Sequence, residues 1–156
     1  MRTLMLVAGA LLLVGCSSSG QPASAPTPPQ GPTSVGPTGF HVAGSYETAV
    51  TLAGNTCKGI TVQPNVTTVT HEPGSSSMTM THAGQTYTGT VTRTGRFTTQ
   101  PKPVDAGGGT VHTLGIAGGF SFTGFQARVS AVVTPENCRY TVIWVGTKDG
   151  QPNVLG

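Results

Sequence analysis

The sequence predicts an all-β domain, an antiparallel up-and-down meander of about eight short strands closed into a small barrel or stacked as a two-layer sandwich. Three observations carry this. After Phe40 no window repeats apolar residues every 3.6 positions; β-branched residues alternate with polar ones instead. The chain holds 23 glycines and 12 prolines, which punctuate the alternating runs, and residues 39–156 carry 22 threonines, a residue suited to half-buried pleated surfaces. Neighbouring runs, folded onto each other across their turns, also put their apolar residues on one common face.

Taken in order, Phe40–Tyr46 reads as a first strand and the stretch around Cys57–Val62 as a second. A meander follows: Asn65–His71, Ser76–His82 and Gln85–Arg93, turning at Glu72-Pro73-Gly74-Ser75 and at Ala83-Gly84. Pairing across those turns sets Val69 opposite Met78, Met80 opposite Tyr87 and Met78 opposite Gly89, with Thr79, Thr81, Thr86, Thr88 and Thr90 on the other face. Thr94-Gly95-Arg96 reads as a three-residue loop with glycine in the left-handed region, leading to a strand near Phe97–Thr99. Pro101–Gly109 reads as a long flexible loop. Thr110–Ile116 and Phe120–Phe122 pair over Ala117-Gly118-Gly119, and Thr123-Gly124 reads as a bulge. The last hairpin is Phe125–Val133 with Cys138–Val145, setting Val133 against Cys138, Ala131 against Tyr140, Val129 against Val142 and Ala127 against Trp144. A slip of one residue would turn Arg128 and Arg139 inward, so this register is well specified.

Ahead of the domain, Met1-Arg2-Thr3 precedes an unbroken apolar run from Leu4 to Gly15. One cation followed by such a run is a secretory signal, and it is too short to span a bilayer. The run ends in Leu13-Val14-Gly15-Cys16, which resembles the lipobox of bacterial lipoproteins. The resemblance implies that residues 1–15 are a signal peptide and that Cys16 is cut free and acylated. It also implies an address in the cell envelope, with the membrane as partner. Ser17 stands where that family uses Asp for retention at the inner membrane. The expected address is therefore the periplasmic face of an outer membrane where one exists, and otherwise the outer face of the cytoplasmic membrane. Residues 16–38 read as the lipidated Cys and a Pro/Ser/Thr-rich disordered tether, with six of the twelve prolines and no charge. The domain is then 39–156. With Cys16 assigned to lipid, Cys57 and Cys138 form an even pair in an exported chain, so a disulfide is expected.

Little in the sequence points to catalysis. Only 8% of residues are charged, the formal net charge is +3, and no basic block suits nucleic acid. Glu72, Asp105, Glu136 and Asp149 fall in predicted turns, leaving Glu47 as the remaining carboxylate. No Gly-x-Ser-x-Gly elbow occurs, and Gly107-Gly108-Gly109 precedes a strand rather than a helix. No enzymatic activity and no cofactor are expected.

The sequence therefore reads as a membrane-anchored exported lipoprotein in a binding or envelope-structural role, its partner a small apolar ligand or an envelope protein. One alternative is a carrier of a small hydrophobic ligand, its pocket lined by Tyr87, Leu114, Phe120, Phe122 and Trp144. The meander is similar in outline to lipocalins and avidins, which implies an interior able to hold one ligand. The other alternative is a copper protein using His71, Met78, Met80 and His82, whose imidazoles and thioethers suit Cu(I). Met78-Thr79-Met80 is similar to the Met-x-Met pair of small periplasmic copper-binding barrels, although the Trp beside that pair is missing here. His112 falls on the face of Leu114 and Ile116, and Arg93, Arg96 and Lys102 form a loose basic rim.

Overall fold

The structure, a computed structural model, describes residues 39–156. Leu13 to Cys16 and the tether lie outside the described residues. The described chain forms nine antiparallel strands: β1 (Gly44–Asn55), β2 (Asn65–His71), β3 (Ser77–His82), β4 (Gln85–Val91), β5 (Arg96–Thr99), β6 (Lys102–Gly107), β7 (Thr110–Ser121), β8 (Gly124–Thr134) and β9 (Cys138–Lys148). Each of β2 to β5 pairs with the strand before it, β1 pairs with β9, and β7, β8 and β9 continue in order. Pairing of β5 with β7 closes the barrel. Its wall has eight staves, because β5 and β6 lie along the same edge of β7, at Ala117–Gly119 and Thr110–Leu114 respectively. The break falls at Gln100-Pro101, where proline has no N–H to give a ladder.

The all-β meander is present and, of the two arrangements expected, it is the barrel and not the sandwich; the last hairpin has the register read from the sequence, Val133 facing Cys138 through Ala127 facing Trp144. The meander keeps its inside and outside, but β2 sits two residues from the expected pairing: His71 faces Met78 and Val69 faces Met80. The loop is longer than four residues, and a two-residue slip preserves the face of every side chain. Gly95 adopts φ +83 in the β4–β5 turn, as expected there. A Cβ on it would lie 2.8 Å from the Phe120 carbonyl.

Four expectations are corrected. The first strand is Gly44–Asn55 rather than Phe40–Tyr46. Cys57–Val62 is not a strand: Asn55 Oδ1 accepts from Cys57 N at 2.8 Å and turns the chain into a loop over residues 56–64. Pro101–Gly109 is largely β6, an edge strand that pairs only with β7 and so tolerates Pro103, Lys102 and Asp105. Ala117-Gly118-Gly119 is no turn but mid-strand. A Cβ at Gly118 would meet Gln126 O at 2.2 Å, so glycine there lets β8 approach closely. The turn is Phe122-Thr123, so Leu114 faces Ala131, Ile116 faces Val129 and Phe120 faces Phe125.

One end of the barrel is sealed. Residues 39–43 and the C-terminal segment cross it, joined where His41 and Val154 exchange backbone hydrogen bonds of 2.7 and 2.9 Å. Beneath them the rings of Tyr46, Phe97, Phe120 and Phe125 pack together, with Phe97 4.8 Å from Phe120 and Tyr46 5.2 Å from Phe125. Each fully buried ring contributes about 1.5–3 kcal/mol of transfer free energy. Asn153 is buried among them, its Nδ2 donating to Ser121 O at 2.7 Å and its Oδ1 accepting from Lys148 Nζ at 2.8 Å. Lys148 Nζ also donates to Ala43 O. The Tyr46 hydroxyl lies 2.6 Å from Val42 O and 2.7 Å from Asn153 Oδ1, and its one proton serves that pair. Burial pushes the Tyr46 phenol pKa up and the Lys148 ammonium pKa down. No buried side-chain polar atom among the described residues lacks a partner.

Candidate functional site in the barrel mouth

The opposite end is open. Inward positions of β1, β3, β4, β7, β8 and β9 end there in rings and aliphatic groups rather than a plug, and they line a cavity of about 410 Å³. Val50, Val129, Val142 and Leu114 line it together with the rings of Trp144, Tyr87, Tyr140, His82 and His112. Ile60 and Val62 of the 56–64 loop cover one side. Among the described residues no carboxylate, ammonium or guanidinium lines it. Its volume falls in the lower half of the range for small-molecule pockets.

The loop is held at its first residues. Cys57 is disulfide-bonded to Cys138, the first residue of β9, at a Cα–Cα distance of 5.1 Å and a separation of 81 residues. Thr56 N donates to Arg139 O at 2.9 Å, and Arg139 N donates to Thr56 Oγ1 at 3.0 Å. The expected disulfide thus ties this loop to the rim. A second depression of about 440 Å³ beside it shares Ile60 and His112 with the mouth.

The ring contacts are close. His82 lies 4.1 Å from Trp144 between ring centroids, tilted by 30°. Tyr87 meets Trp144 edge-on at 6.4 Å. His112 Nδ1 and the Tyr140 hydroxyl are 3.0 Å apart. Lys102 on β6 reaches across the wall, placing Nζ 5.6 Å from the Tyr87 ring and donating to Thr86 O at 2.9 Å. Burial, with Tyr140 adding a smaller effect, pushes Tyr87 up to about 12, and burial raises Tyr140, so both phenols stay protonated at neutral pH. Burial lowers the pKa of His82, which favours the neutral imidazole.

A hydroxyl relay runs from His82 into the wall. Thr48 Oγ1 donates to Tyr46 O at 3.1 Å, and a carbonyl can only accept. With that proton committed, Thr67 Oγ1 must donate to Thr48 Oγ1, 2.7 Å away. Thr67 then has no proton left for His82 Nδ1, 2.9 Å distant, so Nδ1–H donates to Thr67. This order of donors makes His82 the Nδ1–H tautomer, with the lone pair on Nε2. Nε2 has no partner among the described residues and is not sealed from solvent, and His82 is one of the residues that line the mouth.

The pocket expected from sequence is partly assembled. Tyr87, Leu114 and Trp144 line the mouth together. Phe120 points inward but packs at the sealed end, and Phe122, 63% exposed in the β7–β8 turn, lies outside the barrel. Tyr140, Val142 and His112 were missed as lining residues, although Tyr140, Val142 and Trp144 alternate on one face of β9 and could have been grouped. The proposed metal set is not gathered at one point. His71, Met78, Met80 and His82 all face inward, but His71 pairs with Met78 while His82 pairs with Thr67, four residues or about 13 Å along the strand. His71 also has both ring nitrogens engaged: Nδ1 accepts from Val42 N at 3.4 Å and Nε2–H donates to Ser75 O at 2.8 Å. No group of three or more His, Cys, Asp or Glu able to hold a metal occurs among the described residues.

Compared with known proteins, the chain matches no family model, no curated protein and no solved structure.

Proposed function

We propose that this chain is an exported, lipid-anchored, non-catalytic binding protein whose barrel mouth holds a small apolar ligand. The observation that carries the reading is the uncharged, ring-lined cavity of about 410 Å³ under the disulfide-tethered loop. A filled barrel would have met the same wall pattern with a solid core. The lipobox-like Leu13-Val14-Gly15-Cys16 and the Pro-rich stretch behind it support export and anchoring. Glu47, Glu72, Asp105, Glu136 and Asp149 all lie outside the mouth lining, which supports a site that binds without acid/base chemistry.

The sole tryptophan, Trp144, is a built-in reporter. N-phenyl-1-naphthylamine added to the full chain is expected to accept energy from Trp144, saturating at one molecule per chain. Val50→Phe, which adds a ring at a lining position paired with Trp144, is expected to weaken that binding about tenfold. Emission that rises without saturation would rule out the carrier reading. Anchoring is read separately: radiolabelled palmitate is expected in the wild-type chain and not in Cys16→Ser.

A further inference from the structure

We propose that the mouth selects a neutral, planar ring compound carrying an O–H or N–H donor, and that Nε2 of His82 is the acceptor that selects it. This inference rests on the carrier reading above and adds the ligand's chemistry. Three observations converge. Among the described residues the lining holds five rings and no charged side chain, and the cation beside it, Lys102 Nζ, 5.6 Å from the Tyr87 ring, already donates to Thr86 O, so an ion entering the mouth loses its hydration with little counter-charge to meet it. The flat surfaces of Trp144, Tyr87 and Tyr140 favour a ring partner through offset or edge contacts. The relay Tyr46 O, Thr48, Thr67, His82 makes the imidazole an acceptor at the cavity when it starts from the Thr48 hydroxyl donating to Tyr46 O, because each later hydroxyl then donates away from His82.

A donor on the ligand would complete His82. A ligand offering only acceptors would leave Nε2 covered and unpaired, which carries a desolvation cost. Thr67 acts here through His82 as a positioning residue. With valine in its place, Nδ1 loses its acceptor and the tautomer is no longer imposed.

The test uses the full chain with Cys16→Ser, which keeps it free of acyl groups, and isothermal calorimetry with three probes of one shape: 1-naphthol, 1-methoxynaphthalene and 1-naphthoate. 1-Naphthol is expected to bind about tenfold tighter than 1-methoxynaphthalene, the upper end for one hydrogen bond. 1-Naphthoate is expected to be weaker than 1-naphthol by at least as much. His82→Phe, which keeps a ring against Trp144, is expected to bring naphthol and methoxynaphthalene together. Ring ¹⁵N spectra of the wild-type protein are expected to show His82 protonated at Nδ1, and Thr67→Val is expected to shift that population toward Nε2–H. Equal binding of naphthol and methoxynaphthalene to the wild type, or a proton found on Nε2, overturns the inference while leaving the cavity a binding site. No binding of any probe overturns the carrier reading together with it.

Discussion

The two ends of the barrel are built from the same alternating strands and come to opposite outcomes. At the sealed end the chain crosses the opening twice, and its polar groups, Lys148, Asn153 and Tyr46, are consumed by one another and by backbone carbonyls. At the mouth a single loop covers one side, fixed by Cys57–Cys138, and an imidazole keeps one nitrogen without a protein partner. The wall supplies stability at either end. What distinguishes them is whether the chain returns to fill the opening.

Truncations should therefore cost more at the sealed end than at the mouth. Phe125→Ala removes a ring packed between Tyr46 and Phe120, and a loss of about 3–5 kcal/mol is expected from denaturant midpoints. Tyr140→Ala, at a half-buried position beside the cavity, is expected to cost clearly less by the same measurement. Equal costs would erase the contrast between the ends. Replacing both Cys57 and Cys138 by Ser opens a long loop and is expected to cost about 2–5 kcal/mol. Amide exchange is expected to speed up most across residues 56–64, leaving the Asn153 amide protected. Asn153→Ala leaves Lys148 and the Ser121 carbonyl short of a partner, for an expected loss of about 1–3 kcal/mol.

A smaller effect concerns pH. His82 faces Thr67 on β2, Trp144 on β9 and Gln85 across the β3–β4 turn, and no charged side chain among the described residues lines the cavity. Its folded pKa lies below the ordinary 6.5 because burial disfavours the charged form. The unfolded chain thus takes up the proton first as pH falls. Stability from this group is complete above about 6.5 and is lost as pH drops from there through the folded value. His82→Phe is expected to flatten that part of the stability profile. An unchanged slope between wild type and variant would show that His82 is not the group concerned.

Where local rules act, the sequence was readable. Period-two alternation placed Met78, Met80, Tyr87, Ala127, Val129 and Trp144 inside, and the short turns at Ala83-Gly84 and at Gly95 gave β4 its neighbours. Three features escaped for physical reasons. Ile60-Thr61-Val62 alternates like a strand, yet the disulfide and the Asn55 turn hold it off the sheet. Gly118-Gly119 has the composition of a turn, but its use is a close approach of β8, visible only once the strands are paired. That misreading put Phe122 inside and placed Phe120 in the pocket with Leu114, whereas it packs against Phe97 and Phe125 at the sealed end. The relay needs Thr48, Thr67 and His82 on three adjacent staves, and the long 56–64 connection hides the β1–β2 register from any local reading.

The most direct test of the contrast between the ends is a ¹H–¹⁵N correlation titration of the full Cys16→Ser chain with 1-naphthol. The account requires saturable shifts at the Trp144 indole, Tyr87, Tyr140 and residues 58–63, with Phe97, Phe120 and Asn153 unmoved. Shifts centred on Phe97, Phe120 and Asn153, or shifts that spread over the surface without saturating, would contradict it.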